Sequence, residues 1–190
     1  MFGKSSLRFV YNEDLKAGSI HKLWTSSYST VSDVKKGIVK CRMLTGTYLL
    51  QKDKHTFSNG KVQADCVLCC IGDEDIVHML TQCSALHEIR REQMQILKKT
   101  VVEYTCKTTW NSHFNNLESI TQLIMDCTLF RTLFTSSRTM HQVVSVRLWK
   151  KKKRAQLDDI MRKTTNLCYE MHVHRLCLLD DVITAWNDLY

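Results

Sequence analysis

The chain has 190 residues, enough for one or two domains with a buried core, and it contains nine cysteines, no proline and a formal net charge of +8. No apolar run approaches the roughly 20 residues that a membrane-spanning helix needs, and the N-terminus lacks the apolar centre of a signal peptide. An odd number of cysteines fits poorly with a closed set of disulfides, so we expect an intracellular protein with reduced thiols and no membrane contact.

Residues 1–30 are polar and weakly patterned, which predicts an irregular N-terminal arm. A helix is expected to begin at Ser32, a residue type that favours the N-cap. Its apolar face recurs at i, i+4 and i+7 and comprises Val34, Ile38 and Cys41. The opposite face is predicted to be exposed and basic, with Lys35, Lys36, Lys40 and Arg42.

Short alternating runs flank the dipeptide Asn59-Gly60. Asn-Gly is typical of the two-residue turn in a β-hairpin, because both central residues of that turn need positive φ angles. The sequence therefore predicts a small hairpin whose second strand leads into Cys66.

Three cysteines and one histidine then follow at a spacing typical of zinc ligands: Cys66, Cys69, His78 and Cys83. Two cysteines separated by two residues can present both sulfurs to one point from a tight turn. We predict that the four residues hold one structural Zn²⁺, although Cys70 could replace Cys69 as the second ligand. The alternative is a reduced, cysteine-rich core segment with a surface histidine.

The segment Gly72–Asp75 is acidic and predicts the start of a second helix. On an ideal α-helix Cys83 would lie about 140° round the axis from His78, so both could not face one metal ion. The helix is therefore expected to end or distort before Cys83, with Ser84 as the N-cap of the next one.

Apolar residues beyond Cys83 recur with helical periodicity and predict a bundle of helices. The first of these apolar stripes, expected in the core, comprises Leu86, Ile89, Met94, Leu97 and Val101. Breaks are expected at Lys107–Ser112 and Ser136–Thr139. A basic run follows, for which we expect a frayed or exposed segment that acts as a phosphate-binding patch or nuclear localisation signal. A solvated charge run without a partner is the alternative. Its candidate contacts are Lys150, Lys151, Lys152, Lys153 and Arg154.

The fold class is thus predicted to be mainly α, with a small zinc-binding module (helix, β-hairpin, cysteine knuckle, helix) followed by a helical bundle. Three segments are expected: an irregular arm over 1–30, a zinc-binding module with its trailing helix over 31–105, and a helical C-terminal region over 106–190.

The order of these motifs resembles the zinc-binding region that follows the reverse transcriptase domain of LINE-type (non-LTR) retrotransposons. The resemblance covers roughly residues 30–178 and is specific over 41–83. The matching elements are Arg42–Gln51, the hairpin, the two spaced cysteines, Glu74-Asp75, His78 and Cys83, with a similar tail at Leu117–Cys127 and Leu167–Arg175. In that family the region helps to hold RNA template and target DNA. The resemblance therefore implies the same four metal ligands and RNA or DNA as the partner, bound by backbone contacts. The residues expected to contact the nucleic acid are Lys35, Lys36, Lys40 and Arg42 together with the basic run Lys150–Arg154.

Catalysis is not expected. The pairs Asp158-Asp159 and Asp180-Asp181 lack the aromatic residue of a polymerase motif, and the six glycines are scattered singly, so no phosphate loop and no small-molecule substrate are predicted. Four protein ligands also leave no open position on zinc. Two alternatives to nucleic-acid binding are a helical protein-interaction module with purely structural zinc, and a decayed element fragment without a selected function.

Overall fold

The structure is a computed structural model that describes residues 7–10, 18–25, 30–135 and 146–187, with the side chains of 135, 146–153 and 184–187 outside that description. The described residues contain α-helices, short turns of 3₁₀- and π-helix, and no β-strand, which confirms a mainly helical fold. The α-helices are α1 (Lys22–Thr25), α2 (Val31–Leu44), α3 (Gln51–Phe57), α4 (His87–Tyr104), α5 (Lys107–His113), α6 (Leu117–Met125) and α7 (Val146–Asn187).

Helix α7 is the axis of the fold. Its 42 residues span about 63 Å, and α2, α4 and α6 pack against it. The predicted segments 31–105 and 106–190 therefore share one interior. Its most buried apolar side chains include Leu97, Val101, Leu123, Ile124, Ile160, Met161, Leu167 and Met171.

The N-terminal segment also contributes to that interior. Of residues 1–30, predicted to be an irregular arm, the described part contains α1, whose Leu23 is buried. Phe9 and Val10 are buried as well. The His21 ring lies 3.3 Å from a carboxylate oxygen of the buried Asp126, which ties this segment to the end of α6.

The predicted β-hairpin is wrong. Helix α3 occupies the position of its first strand, and the carboxylate of Asp53 accepts a hydrogen bond from Leu50 N (3.0 Å) at the start of that helix. Asn59 and Gly60 do adopt positive φ angles (53° and 84°), but Gly60 N donates to His55 O (2.9 Å) and closes the helix. A helix C-terminus and a hairpin turn need the same left-handed backbone, so this dipeptide alone does not distinguish them.

The loop predicted at Lys107–Ser112 is also wrong, because these residues belong to α5. Cys106 caps that helix by accepting a hydrogen bond from Thr109 N. Trp110 is buried, and its ring lies 5.1 Å from that of Phe114. Burial of these rings outweighs the weak helix propensity of the flanking threonines and asparagine. The second predicted break, Ser136–Thr139, lies outside the described residues.

Helix α2 is rotated relative to the prediction. Val34 and Ile38, expected in the core, are 42% and 47% exposed. The helix begins one residue before Ser32, where Thr30 and Asp33 form a capping box. The side that faces the interior contains Gly37, Lys40, Met43 and Leu44.

Lys40 is consequently not a surface residue, and its assignment as a nucleic-acid contact is wrong. Its side chain is 0% exposed, and Nζ donates to Thr164 Oγ1 (2.5 Å) and lies 3.2 Å from Met161 Sδ. These partners on α7 make burial of the amine possible. Burial lowers the pKa of Lys40, although the nearby Cys168, Cys127 and Asp126 act in the opposite direction.

Lys40→Met is expected to stabilise the protein. Because the folded-state pKa of Lys40 lies below the ordinary 10.5, the unfolded chain binds more protons between those two pKa values. The cost of the buried charge is therefore greatest below the folded pKa and disappears above 10.5. At neutral pH the substitution should raise the free energy of unfolding by on the order of 1 kcal/mol, measured by urea denaturation.

The matched control is Lys35→Met, since Lys35 is exposed on the same helix. It should leave stability within about 0.5 kcal/mol of the wild type. The gain from Lys40→Met should shrink as the pH rises towards 10.5. A variant no more stable than the control at neutral pH would show that the amine is accommodated without cost.

Candidate metal centre

The four predicted ligands converge on one point. One ligand atom from each of Cys66, Cys69, His78 and Cys83 lies within 4.8 Å of all the others. Cys66 Sγ is 3.8 Å from Cys83 Sγ, and Cys69 Sγ is 3.3 Å from His78 Nε2. This cluster can hold one metal ion.

The first pair of cysteines sits on a tight turn. Cys70 N donates to Cys66 O (2.8 Å), and Cys66 N donates to Gly72 O (3.0 Å). An isolated antiparallel bridge between Asp65 and Asp73 closes the turn. Cys70 has a φ of 56°, and its side chain is exposed and outside the cluster. Of the two neighbouring thiols, Cys69 is therefore the one that joins the cluster.

The second pair of ligands, His78 and Cys83, is brought together by a distorted helix, as the sequence predicts. Residues His78–Gln82 form a turn of π-helix, in which Cys83 N donates to His78 O (2.8 Å) across five residues. A π-turn holds one more residue than an α-turn, so Cys83 comes round to the side of His78. Ser84 does not cap the next helix, because a 3₁₀ turn over Ser84–Leu86 precedes α4.

The ligands differ in burial. Cys66 and Cys83 are 1% exposed and His78 is 6% exposed. Cys69 is half-buried and lines, with His78, an open cleft of about 710 Å³ whose wall includes Arg8 and Glu118. The cluster thus has a closed inner side and one edge that solvent can reach.

The pKa values of the ligands reflect this difference in burial. Burial raises the pKa of the Cys66 thiol to about 12 and also raises the pKa of Cys83. For Cys69 burial again acts upwards, but the backbone of Ile71 and the two neighbouring thiols outweigh it, and the pKa is lowered. Burial lowers the pKa of His78, which favours the neutral imidazole that binds metals.

A buried ion pair connects the cluster to α7. The Glu74 carboxylate accepts hydrogen bonds from Arg175 Nε (2.9 Å) and Nη2 (3.0 Å), and one of its oxygens lies 4.0 Å from Cys66 Sγ. Both charged side chains are almost fully buried (1% and 5% exposed). Tyr48 and His172 make a second link through a 2.9 Å hydrogen bond. The metal region is therefore fixed to the longest helix of the fold.

Three residues near the cluster, Glu74, Arg175 and Arg90, were not identified as parts of the site by sequence reasoning alone. The Glu74–Arg175 pair joins positions 101 apart, and no local pattern indicates such a contact. Arg90 of α4 did have a signal, because it falls in register with Leu86 and Leu97 on the apolar stripe of that helix. Its side chain is 9% exposed.

The predicted basic contacts lie in two separate places. Lys35 and Arg42 are exposed on α2, whereas Lys36 is half-buried and donates to Asn166 Oδ1 (3.2 Å). Arg154 is exposed near the start of α7, about 18 Å along the helix from Asn166. The backbone of 150–153 is helical rather than frayed; the side chains of Lys150, Lys151, Lys152 and Lys153 lie outside the described part.

The described residues thus form a helical protein with a Cys₃His cluster that can hold a metal ion. No helix among them is both long and apolar enough to cross a membrane. Comparisons with protein-family models, with curated proteins and with solved structures give no match to this chain.

Proposed function

We propose that the protein binds one structural Zn²⁺ through Cys66, Cys69, His78 and Cys83. The geometry of the cluster carries this proposal. A tetrahedral zinc ion with bonds of about 2.3 Å to sulfur and about 2.0 Å to nitrogen separates two sulfurs by about 3.8 Å and a sulfur from a nitrogen by about 3.5 Å. The observed separations, 3.8 Å and 3.3 Å, are close to both. Thiolate and imidazole ligands favour zinc over magnesium or calcium, and four of them leave no site for a catalytic water.

We further propose that this zinc-stabilised protein is non-catalytic and binds RNA or DNA, as the resemblance to the LINE-type region implies. The start of α7 supports this. Five consecutive cations, Lys150 to Arg154, lie near the positive end of the helix dipole, and the first turn contains no acidic residue. These positive charges repel one another and are also repelled by the positive end of the helix dipole. A negatively charged phosphate backbone would offset both repulsions. Lys35 and Arg42 offer a second, weaker contact, and residence in the nucleus would fit the same basic run.

Replacement of all five residues of that run, Lys150 to Arg154, by glutamine is expected to weaken nucleic-acid binding and its salt dependence. Each lost phosphate contact reduces the magnitude of the slope of log affinity against log salt by about 0.9 for duplex DNA, so the loss of five contacts would reduce it by about 4.5. Electrophoretic shift titrations at several salt concentrations would measure this. A matched variant with glutamine at the exposed Lys54 and Lys61 should keep the wild-type slope. Wild-type protein that binds neither RNA nor DNA at low salt would contradict the proposal.

One observation favours the alternative of a protein-interaction module. The outer face of α2 exposes Val31, Val34 and Ile38 in register, with 75%, 42% and 47% of each residue accessible. If a protein partner covers this face, a pull-down after nuclease treatment should recover that partner with the wild-type protein but not with Ile38→Asp. If nuclease treatment itself abolishes the recovery of proteins by the wild type, nucleic acid is favoured as the partner instead.

A further inference from the structure

Arg90 carries a buried charge that the fold alone does not explain. It lies in the first turn of α4, directly after the metal cluster, and only 9% of it is exposed. Its Nη1 atom is buried and has no hydrogen-bond partner among the described residues. A buried guanidinium with an unused donor is rare, because an unpaired charged group in the interior costs several kcal/mol.

Two of the proposed metal ligands, Cys83 and His78, interact electrostatically with Arg90. Helix α4, which carries Arg90, packs against the π-turn His78–Gln82. Burial lowers the pKa of Arg90, and the Cys83 thiol acts in the opposite direction by favouring the positive charge. Burial lowers the pKa of His78, and Arg90 acts in the same direction. Three thiolates and one Zn²⁺ give the proposed centre a net charge of −1, and two of its sulfurs are almost fully buried. Such an anion needs a cation close by.

Glu74, the other buried charge beside the cluster, is already neutralised. Arg175 binds both of its oxygens, at 2.9 and 3.0 Å. That pair contributes no net charge to balance the thiolates. Arg8, in the wall of the adjoining cleft, is exposed and paired with Glu118 (2.8 Å). Among the described residues, Arg90 is therefore the buried cation beside the cluster that is left to offset the centre.

We propose that Arg90 is a positioning residue that supplies the counter-charge to the zinc-bound Cys83 thiolate. This inference rests on the proposed zinc site. It gives a reason for a buried cation at this position, because the metal-bound thiolates carry the negative charge that balances it. Partners of this kind around a metal site typically change metal affinity about 10- to 100-fold when they are removed.

The test compares Arg90→Met and Arg90→Lys with Arg91→Met. Arg91 is the matched control, since it is exposed on the same helix and pairs with Glu88 (2.6 Å). Zinc affinity would be measured by competition with a chromogenic chelator. We expect Arg90→Met to bind zinc about 10- to 100-fold more weakly, Arg90→Lys to recover part of that loss, and Arg91→Met to stay within about twofold of the wild type.

Substitution of Co²⁺ for zinc gives an absorption band whose energy a packing defect alone would not change. Removal of a cation near Cys83 raises the energy of the sulfur electrons, so the thiolate-to-cobalt charge-transfer band of Arg90→Met should shift to lower energy. The band of Arg91→Met should not shift. In excess chelator Arg90→Met should be at least as stable as the wild type, because the uncompensated charge is gone.

The outcomes separate the two proposals. Wild-type protein that takes up no zinc would overturn the metal site itself. If the wild type binds zinc, and Arg90→Met binds it with equal affinity and shows an unshifted cobalt band, only the role of Arg90 would be overturned. The same holds if Arg90→Met loses equal stability with and without metal, since that result would assign Arg90 to packing.

Discussion

Chelation of zinc is expected to unfold the segment from Cys66 to Cys83 while the long helices persist. This segment contains a single isolated bridge and short turns, so its order depends on the metal cluster, the Glu74–Arg175 ion pair and the buried side chains of Met79 and Leu80. Structural zinc contributes on the order of 10 kcal/mol to small modules. The helices α2, α4, α6 and α7 pack on one another through apolar side chains, among them Leu97, Ile124 and Ile160, that lie outside the Cys66–Cys83 segment. Hydrogen exchange with and without chelator should show lost protection over 64–86 and retained protection in α7.

Substitution of single ligands should reproduce this effect. Cys83→Ser and His78→Ala are each expected to lower the zinc content below one per chain and to lower the melting temperature. In a chain of this size each kcal/mol lost lowers that temperature by about 2–4 °C. Cys70→Ser is the matched control, because its thiol is exposed and outside the cluster. Metal analysis and calorimetry would measure both quantities; unchanged melting in excess chelator would rule out a structural metal.

The cluster could be predicted from the sequence because its determinants are local. All four ligands fall within 18 consecutive residues, and the angle between His78 and Cys83 on an ideal helix was sufficient to predict a distortion between them. The form of that distortion, a π-turn, was not predictable, since an α-helix that simply ended would meet the same requirement. Helical periodicity likewise identified Leu97 and Val101 as core residues of α4.

The errors arose where distant residues decide the outcome. The orientation of α2 depends on Thr164, 124 positions away from Lys40, whose hydroxyl accepts the hydrogen bond that allows the amine to be buried. Charge alone assigned Lys40 to the surface, because an unpaired lysine is almost never fully buried. At Asn59-Gly60 the local signal was correct about the backbone angles but did not specify which element precedes the turn.

Arg175→Met is expected to be among the most destabilising single substitutions outside the ligands. Burial opposes the charge of Arg175, but the hydrogen bonds with Glu74 outweigh it and raise the Arg175 pKa. Removal of one partner from a buried ion pair leaves the other uncompensated and costs about 3–5 kcal/mol. The variant also leaves the Glu74 carboxylate, 4.0 Å from Cys66 Sγ, without its counter-ion, which opposes the thiolate and should weaken zinc binding.

Glu74→Gln distinguishes the two consequences. It should also destabilise the fold, because Arg175 then lacks its counter-ion, but zinc binding should be kept or strengthened, since a cation without a counter-ion favours the thiolates. Lys52→Met is the control for an ordinary ion pair, as Lys52 and Asp73 (3.2 Å) are about half exposed, and it should cost less than about 1 kcal/mol. Urea denaturation in saturating zinc measures stability, and chelator competition measures affinity. If the two substitutions change zinc affinity in the same direction, the ion pair acts on the metal centre through packing rather than through charge.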